Sequence, residues 1–130
     1  MYEYGLRDLT VHSDARGSLV ALETGIDVDF EIGRVFYIYG NVHNLPRAGH
    51  RNTEVHELIV CLNGSCLALV DDGEKRGNFL LDRRDRALYV PPRVWVELVD
   101  FTPDCVLLVL ASGTYRPEAQ IPARPPQRGG

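Results

Sequence analysis

Asn63-Gly64 stands between two apolar runs of strand length, 58–62 and 65–70. Asn-Gly in such a place is the strongest short-range hairpin signal, because both residues tolerate positive φ. It commits this part of the chain to β-structure. The residues just upstream add chemistry to it. His50 and Asn52 are two apart, so on a strand they share a side. Glu57 follows, then the first apolar run. Segment 46–64 therefore predicts a strand that projects polar groups, backed by a hydrophobic hairpin, which is how a β-barrel lines a pocket.

Further strands are expected over 9–12, 18–23, 34–39, 77–81, 87–90, 94–101 and 105–111, rich in β-branched and aromatic residues. Turn clusters at 13–17, 71–73, 91–92 and 102–104 separate them. No amphipathic helix and no internal repeat is visible. Many short strands in 130 residues predict a single all-β domain, a sandwich or a closed barrel. Runs 58–62 and 105–110 are apolar on both faces, as in a double-sheeted jelly roll or a dimer interface. The barrel is expected to occupy 1–115. A C-terminal extension over 116–130 is expected to be partly disordered, since its last eight residues are dominated by Pro, Gly and Arg.

A net charge of −4 with no basic cluster argues against nucleic acid, and no apolar stretch approaches membrane-spanning length. The N-terminal residues lack the apolar core of a signal peptide, so a cytoplasmic location is expected. Cys61, Cys66 and Cys105 read as buried thiols rather than a disulfide framework, with Cys61 and Cys66 opposite each other across the Asn63-Gly64 turn.

Gly49-His50-Arg51-Asn52, Glu57, Gly64 and Pro91-Pro92 resemble in spacing the metal pattern of cupin-type jelly rolls, which has a His-x-His pair, a Glu about five residues on, a Gly beyond it, and a last His after a proline turn. The ligands differ, since Asn52 and Val96 stand where that pattern has histidines. His50 and Glu57 alone fall short of the three donors a transition metal needs. The expected site therefore has no metal and no cofactor. His50 is its proton carrier. Tyr37 supplies a phenol, Arg16 and Arg47 hold phosphates, Asn52 is a ligand-binding amide, and Trp95 is a flat wall for a base or sugar. Glu57 reads as a strand residue paired to a cation.

Asp14-Ala15-Arg16-Gly17-Ser18-Leu19, Arg34-Val35-Phe36-Tyr37-Ile38, Pro46-Arg47 with His50, Cys61-Leu62-Asn63-Gly64-Ser65-Cys66 and Leu88-Tyr89-Val90-Pro91 with Trp95 complete a pattern. Together these segments resemble the WxcM-like, or FdtA-like, cupins, the dTDP-sugar 3,4-ketoisomerases, over roughly residues 8–115. The resemblance implies a metal-free homodimer that moves the keto group of a dTDP-4-keto-6-deoxyhexose from C4 to C3 in deoxysugar biosynthesis. It implies that His50 transfers the proton, that Tyr37 contacts the sugar, and that Arg16 and Arg47 line the ligand site. Asn52 stands where active members carry a second histidine. Two alternatives therefore remain: a nucleotide-sugar-binding cupin without turnover, and an epimerase or dehydratase acting on a similar dTDP-sugar.

Overall fold

The computed structural model describes residues 3–125. Its strands are β1 (Gly5–Asp8), β2 (His12–Asp14), β3 (Gly17–Leu19), β4 (Arg34–Ile38), β5 (Arg47–Asn52), β6 (Glu57–Asn63), β7 (Cys66–Asp71), β8 (Arg76–Leu81), β9 (Arg86–Val90), β10 (Trp95–Val99), β11 (Val106–Ala111) and β12 (Gln120–Ile121). Two five-stranded antiparallel sheets, ordered β1-β9-β6-β11-β4 and β12-β5-β10-β7-β8, face each other, and β2-β3 forms a separate ribbon. This is the all-β jelly roll expected.

The Asn63-Gly64 turn does not close a hairpin. β6 pairs with β9 and β11, whereas β7 pairs with β8 and β10. The turn carries the chain from one sheet to the other. Both flanking strands are apolar on both faces, so each is buried inside its own sheet rather than beside the other. Gly64 takes φ +63°, and a Cβ there would sit 2.6 Å from Asp104 Oδ1 and 2.9 Å from Cys105 Cα, so only glycine fits. Cys61 and Cys66 consequently lie on facing sheets, not opposite each other within a ladder. They are buried free thiols, as is Cys105. Burial pushes the Cys61 thiol up to about 12, which removes it as a nucleophile at neutral pH. The hairpin in this region is β7–β8, turned at Asp72, whose Oδ1 accepts from the Glu74 and Lys75 amides.

The first sheet has a row structure that places the site. Ile38, Leu107 and Cys61 are directly opposite one another across β4, β11 and β6; so are Phe36, Val109 and Ile59; so are Arg34, Ala111 and Glu57. The first two rows join the main apolar cluster with Cys66, Ala68, Val70 and Leu98 of the second sheet, closing one end of the sandwich. The third row is polar and small, and there the sandwich opens.

Three elements depart from the sequence reading. β1 lies at 5–8, upstream of the expected 9–12, where Leu6 registers on Leu88 of β9. The expected strand over 18–23 stops at Leu19. The chain does not leave the fold at 115: a short 3-10 turn, Pro117–Ala119, leads into β12, which pairs with β5 at Asn52 and Arg51. The disorder expected for 126–130 falls outside the described residues.

Candidate active site

A cavity of about 200 Å³ opens at the polar end, between the sheets. From the first sheet it is walled by Arg34, Phe36, Glu57, Ile59 and Ala111, and from the second by Arg47, His50, Asn52, Val96 and Leu98. Residues 113–115 and Gln120 close one side.

β5 delivers its side chains through an irregularity. Val96 of β10 is opposite His50, but Glu97 is opposite Ala48 and Leu98 opposite Arg47, so Gly49 is an extra residue. Ala48 and Gly49 take φ +62° and +77°, the left-handed geometry of a bulge that re-aims a strand. Strict alternation would send Arg47 and His50 to opposite sides. The bulge brings both to the cavity.

Asn52 is fixed by the backbone just downstream of it. Its Oδ1 accepts from the amides of Glu54 (2.9 Å) and Val55 (3.0 Å), so the side chain presents only N–H donors to a ligand. Opposite Asn52 in the ladder stands Gln120, whose Oε1 is buried with no hydrogen-bond partner among the described residues. A donor and an unused acceptor thus adjoin on one wall. Gln120 escaped the sequence reading because it lies beyond the expected end of the barrel.

Glu57 is the cavity's carboxyl group. Burial raises its pKa, and the positive charge of Arg34 opposes the rise. No ion pair joins the two among the described residues; the Arg34 guanidinium lies over the rings of Phe36 (4.4 Å) and Tyr115 (5.0 Å). The expected Glu57–cation pair is therefore a longer-range attraction.

Three expected site residues lie elsewhere in the chain. Tyr37 is one residue out of phase with Arg34, Phe36 and Ile38, so it points out of the sandwich, 66% exposed and stacked on Tyr39. Arg16 sits at the tip of the β2–β3 ribbon, ion-paired to Asp14 and far into solvent. Trp95 is buried on the outer side of the second sheet, because its neighbour Val96 faces in; Arg124 covers its ring at 4.3 Å. His56, next to Glu57 in the chain, is half-buried, stacked on Phe30 and Tyr89 and 2.6 Å from the Tyr89 hydroxyl.

Val96 is paired with His50 in the cavity wall, and Asn52 lies one step along the same strand. The donors His50 and Glu57 are thus accompanied by a hydrocarbon and a weakly donating amide where a metal would seek ligands.

Residues 2–123 match the family model described as FdtA, WxcM-like, C-terminal. Over 102 residues the chain is 45% identical to a TDP-4-oxo-6-deoxy-alpha-D-glucose-3,4-oxoisomerase of Aneurinibacillus thermoaerophilus, covering 78% of this chain and 73% of that one. Among solved structures, the WlaRB TDP-quinovose 3,4-ketoisomerase of Campylobacter jejuni superposes with a TM-score of 0.90 at 35% identity, with 95% of each chain covered. A histidine-to-asparagine variant of the QdtA 3,4-ketoisomerase from Thermoanaerobacterium thermosaccharolyticum, in complex with TDP-4-keto-6-deoxyglucose, gives 0.88 at 33% identity, covering 95% of this chain and 89% of that one.

Proposed function

This chain belongs to the FdtA family of WxcM-like C-terminal domains, and from that premise we propose that it is a 3,4-ketoisomerase of a TDP-linked 4-keto-6-deoxyhexose in deoxysugar biosynthesis. The observation that carries the reading is His50, an imidazole held at the wall of the cavity with hydrogen-bonding and cationic groups around it. Relatives named as 3,4-oxoisomerases and 3,4-ketoisomerases, at 33–45% identity, support the reaction and the nucleotide sugar.

In this reading His50 removes the proton from C3 and returns it at C4 on the same face of the ring, through an enediol. Asn52 donates to a sugar oxygen, and Arg47 holds a phosphate at the cavity mouth. The protein acts as a homodimer. β4 is an edge strand, and Val35 and Tyr37 on it form an exposed apolar row with Tyr39, just past its end. That row gives a second copy its contact, and Tyr37 serves it rather than this chain's own cavity. Arg16 and Trp95 have no route to this cavity within one chain, so a ligand contact from Arg16 must come from the partner's ribbon. The buried free thiols fit a reducing cytoplasm.

Incubation with TDP-4-keto-6-deoxyglucose in D₂O tests the reaction. The expected result is a 3-keto product, with solvent deuterium entering C4 only in the fraction of turnovers in which the proton on His50 exchanges before it is returned, and with both product and exchange abolished in His50→Ala while the fold is retained. Product formation by that variant at the wild-type rate would assign the chemistry to another group. A second reading, a nucleotide-sugar binder without turnover, is favoured by Asn52 and Val96, which remove acid–base capacity from two cavity positions. Saturable TDP binding with neither exchange nor product would establish it instead.

A further inference from the structure

Moving a keto group from C4 to C3 requires two proton relocations. The hydrogen on C3 must reach C4, and the hydrogen on the C3 oxygen must reach the C4 oxygen. One imidazole accounts for the carbon proton. Asn52 cannot move the other, because an amide does not exchange protons as an acid or base near neutral pH and its oxygen is already committed to two backbone amides. Among the described residues, the groups that face the cavity and carry charge or titrate are Arg34 from β4, Arg47 and His50 from β5, Glu57 from β6, and Tyr115 from the segment after β11. A guanidinium donates hydrogen bonds but has no acceptor with which to take up a proton. Tyr115 is 60% exposed and lies beneath the Arg34 guanidinium at the rim. Glu57 is set deeper, in the row between Ala111 and Val90, and engages no hydrogen bond or ion pair among the described residues.

We propose that Glu57 is a second catalytic residue of this isomerase, the group that carries the proton between the C3 and C4 oxygens; the proposal rests on the ketoisomerase reading. Glu57 begins protonated. As His50 takes the C3 proton, the C3–H electron pair forms the C3=C4 bond, and the C4 oxygen takes the Glu57 proton. The enediol then collapses. The Glu57 carboxylate takes the proton of the C3 oxygen, the C3=O bond forms, and C4 takes the proton from His50. Both residues finish as they began, and no oxidant or reductant is needed. Burial favours the starting state, since it keeps this carboxyl protonated to a higher pH than an ordinary glutamate. The small Ala111 beside it leaves the space for a sugar oxygen to approach.

Glu57→Gln and Glu57→Asp, assayed with TDP-4-keto-6-deoxyglucose, test this. The expected kcat of Glu57→Gln is lower by ~10²–10⁴-fold, the usual weight of a general acid–base group, with TDP affinity unchanged. The wild-type rate should fall on the alkaline side as Glu57 ionises, Glu57→Gln should lose that limb, and Glu57→Asp should show it displaced with partial activity. A Glu57→Gln kcat within about threefold of wild type overturns the assignment. So does loss of TDP binding in step with activity, which marks a structural role. Should Glu57→Gln not fold, Glu57→Asp decides, and an alkaline limb unchanged from wild type is negative. Wild-type protein that binds TDP without turnover overturns the isomerase reading and this role together, whereas an active wild type with an unimpaired Glu57→Gln overturns this role alone.

Discussion

Arg34 and Glu57 flank Ala111, each its direct cross-strand partner, one on β4 and the other on β6. The methyl between them leaves room at the open end, and the two charges influence each other through it. Burial outweighs the attraction of Arg34, so the Glu57 pKa is raised in the folded chain. The fold therefore prefers the proton. The stabilisation is fully present below the ordinary carboxylate pKa and is lost as pH rises through the raised folded value. Glu57→Gln is neutral throughout and escapes that loss. Its melting temperature should match wild type below about pH 4 and exceed it by on the order of a few degrees above the folded pKa. Thermal denaturation across pH checks this, and a gap independent of pH would contradict it.

Restoring a histidine at 52 should cost stability. Asn52 Oδ1 satisfies two backbone amides, in a turn that leads into the Glu57 strand. Imidazole cannot take both bonds from that position, and each is worth ~1 kcal/mol. Asn52→His should therefore melt several degrees lower, whereas Asn52→Asp, which keeps the acceptor, should lose less. Calorimetric melts of the two variants side by side give the answer. An Asn52→His protein as stable as wild type would show that the turn holds without the side chain.

The fold class was legible because apolar runs and turn residues recur at strand spacing. His50 and Asn52 were legible as a same-side pair. What the sequence concealed was phase and partnership. Tyr37 follows Phe36 by one residue, and a strand's twofold alternation sends it outward; the even set of Arg34, Phe36 and Ile38 carried that information. Trp95 is the mirror case, outward beside Val96. Arg47 reaches the cavity only through the bulge at Gly49, and a local irregularity of that kind leaves no periodic signal. The Asn63-Gly64 turn was correctly placed, but the turn residues do not say whether the flanking strands pair. Gln120 lies in a two-residue strand that owes its existence to the free edge of β5, so tertiary context alone creates it.

The homodimer proposed above has a direct consequence for Tyr37. With Val35 and Tyr39 it makes an exposed row on an edge strand and just past its end, and Leu45 and Val42 extend the apolar surface nearby. Replacing Tyr37 with Asp puts a charge at the centre of that row. The wild type should have the mass of a dimer by light scattering, and Tyr37→Asp should dissociate at micromolar concentration while keeping its β-sheet spectrum. A monomeric wild type would return Tyr37 to the exposed surface without a partner.

Trp95 is the only tryptophan of the chain, so its emission reports one place. That place is the outer side of the second sheet, where the Arg124 guanidinium covers the ring at 4.3 Å and also lies 3.5 Å from the fully buried Asp71 carboxylate. Arg76 meets the same carboxylate at 3.2 Å, so Asp71 keeps a cation when Arg124 is removed. Arg124→Ala should then uncover the indole without leaving a lone buried charge. Its emission should shift to longer wavelength and become more accessible to acrylamide, at a stability cost of ~0.5–2 kcal/mol for the lost cation–π contact. Isomerase activity should be unaffected, since neither residue lines the cavity. Saturation of the wild type with TDP should leave the spectrum unmoved. Strong quenching by TDP would instead place the nucleotide against this ring, on the far side of β10 from His50.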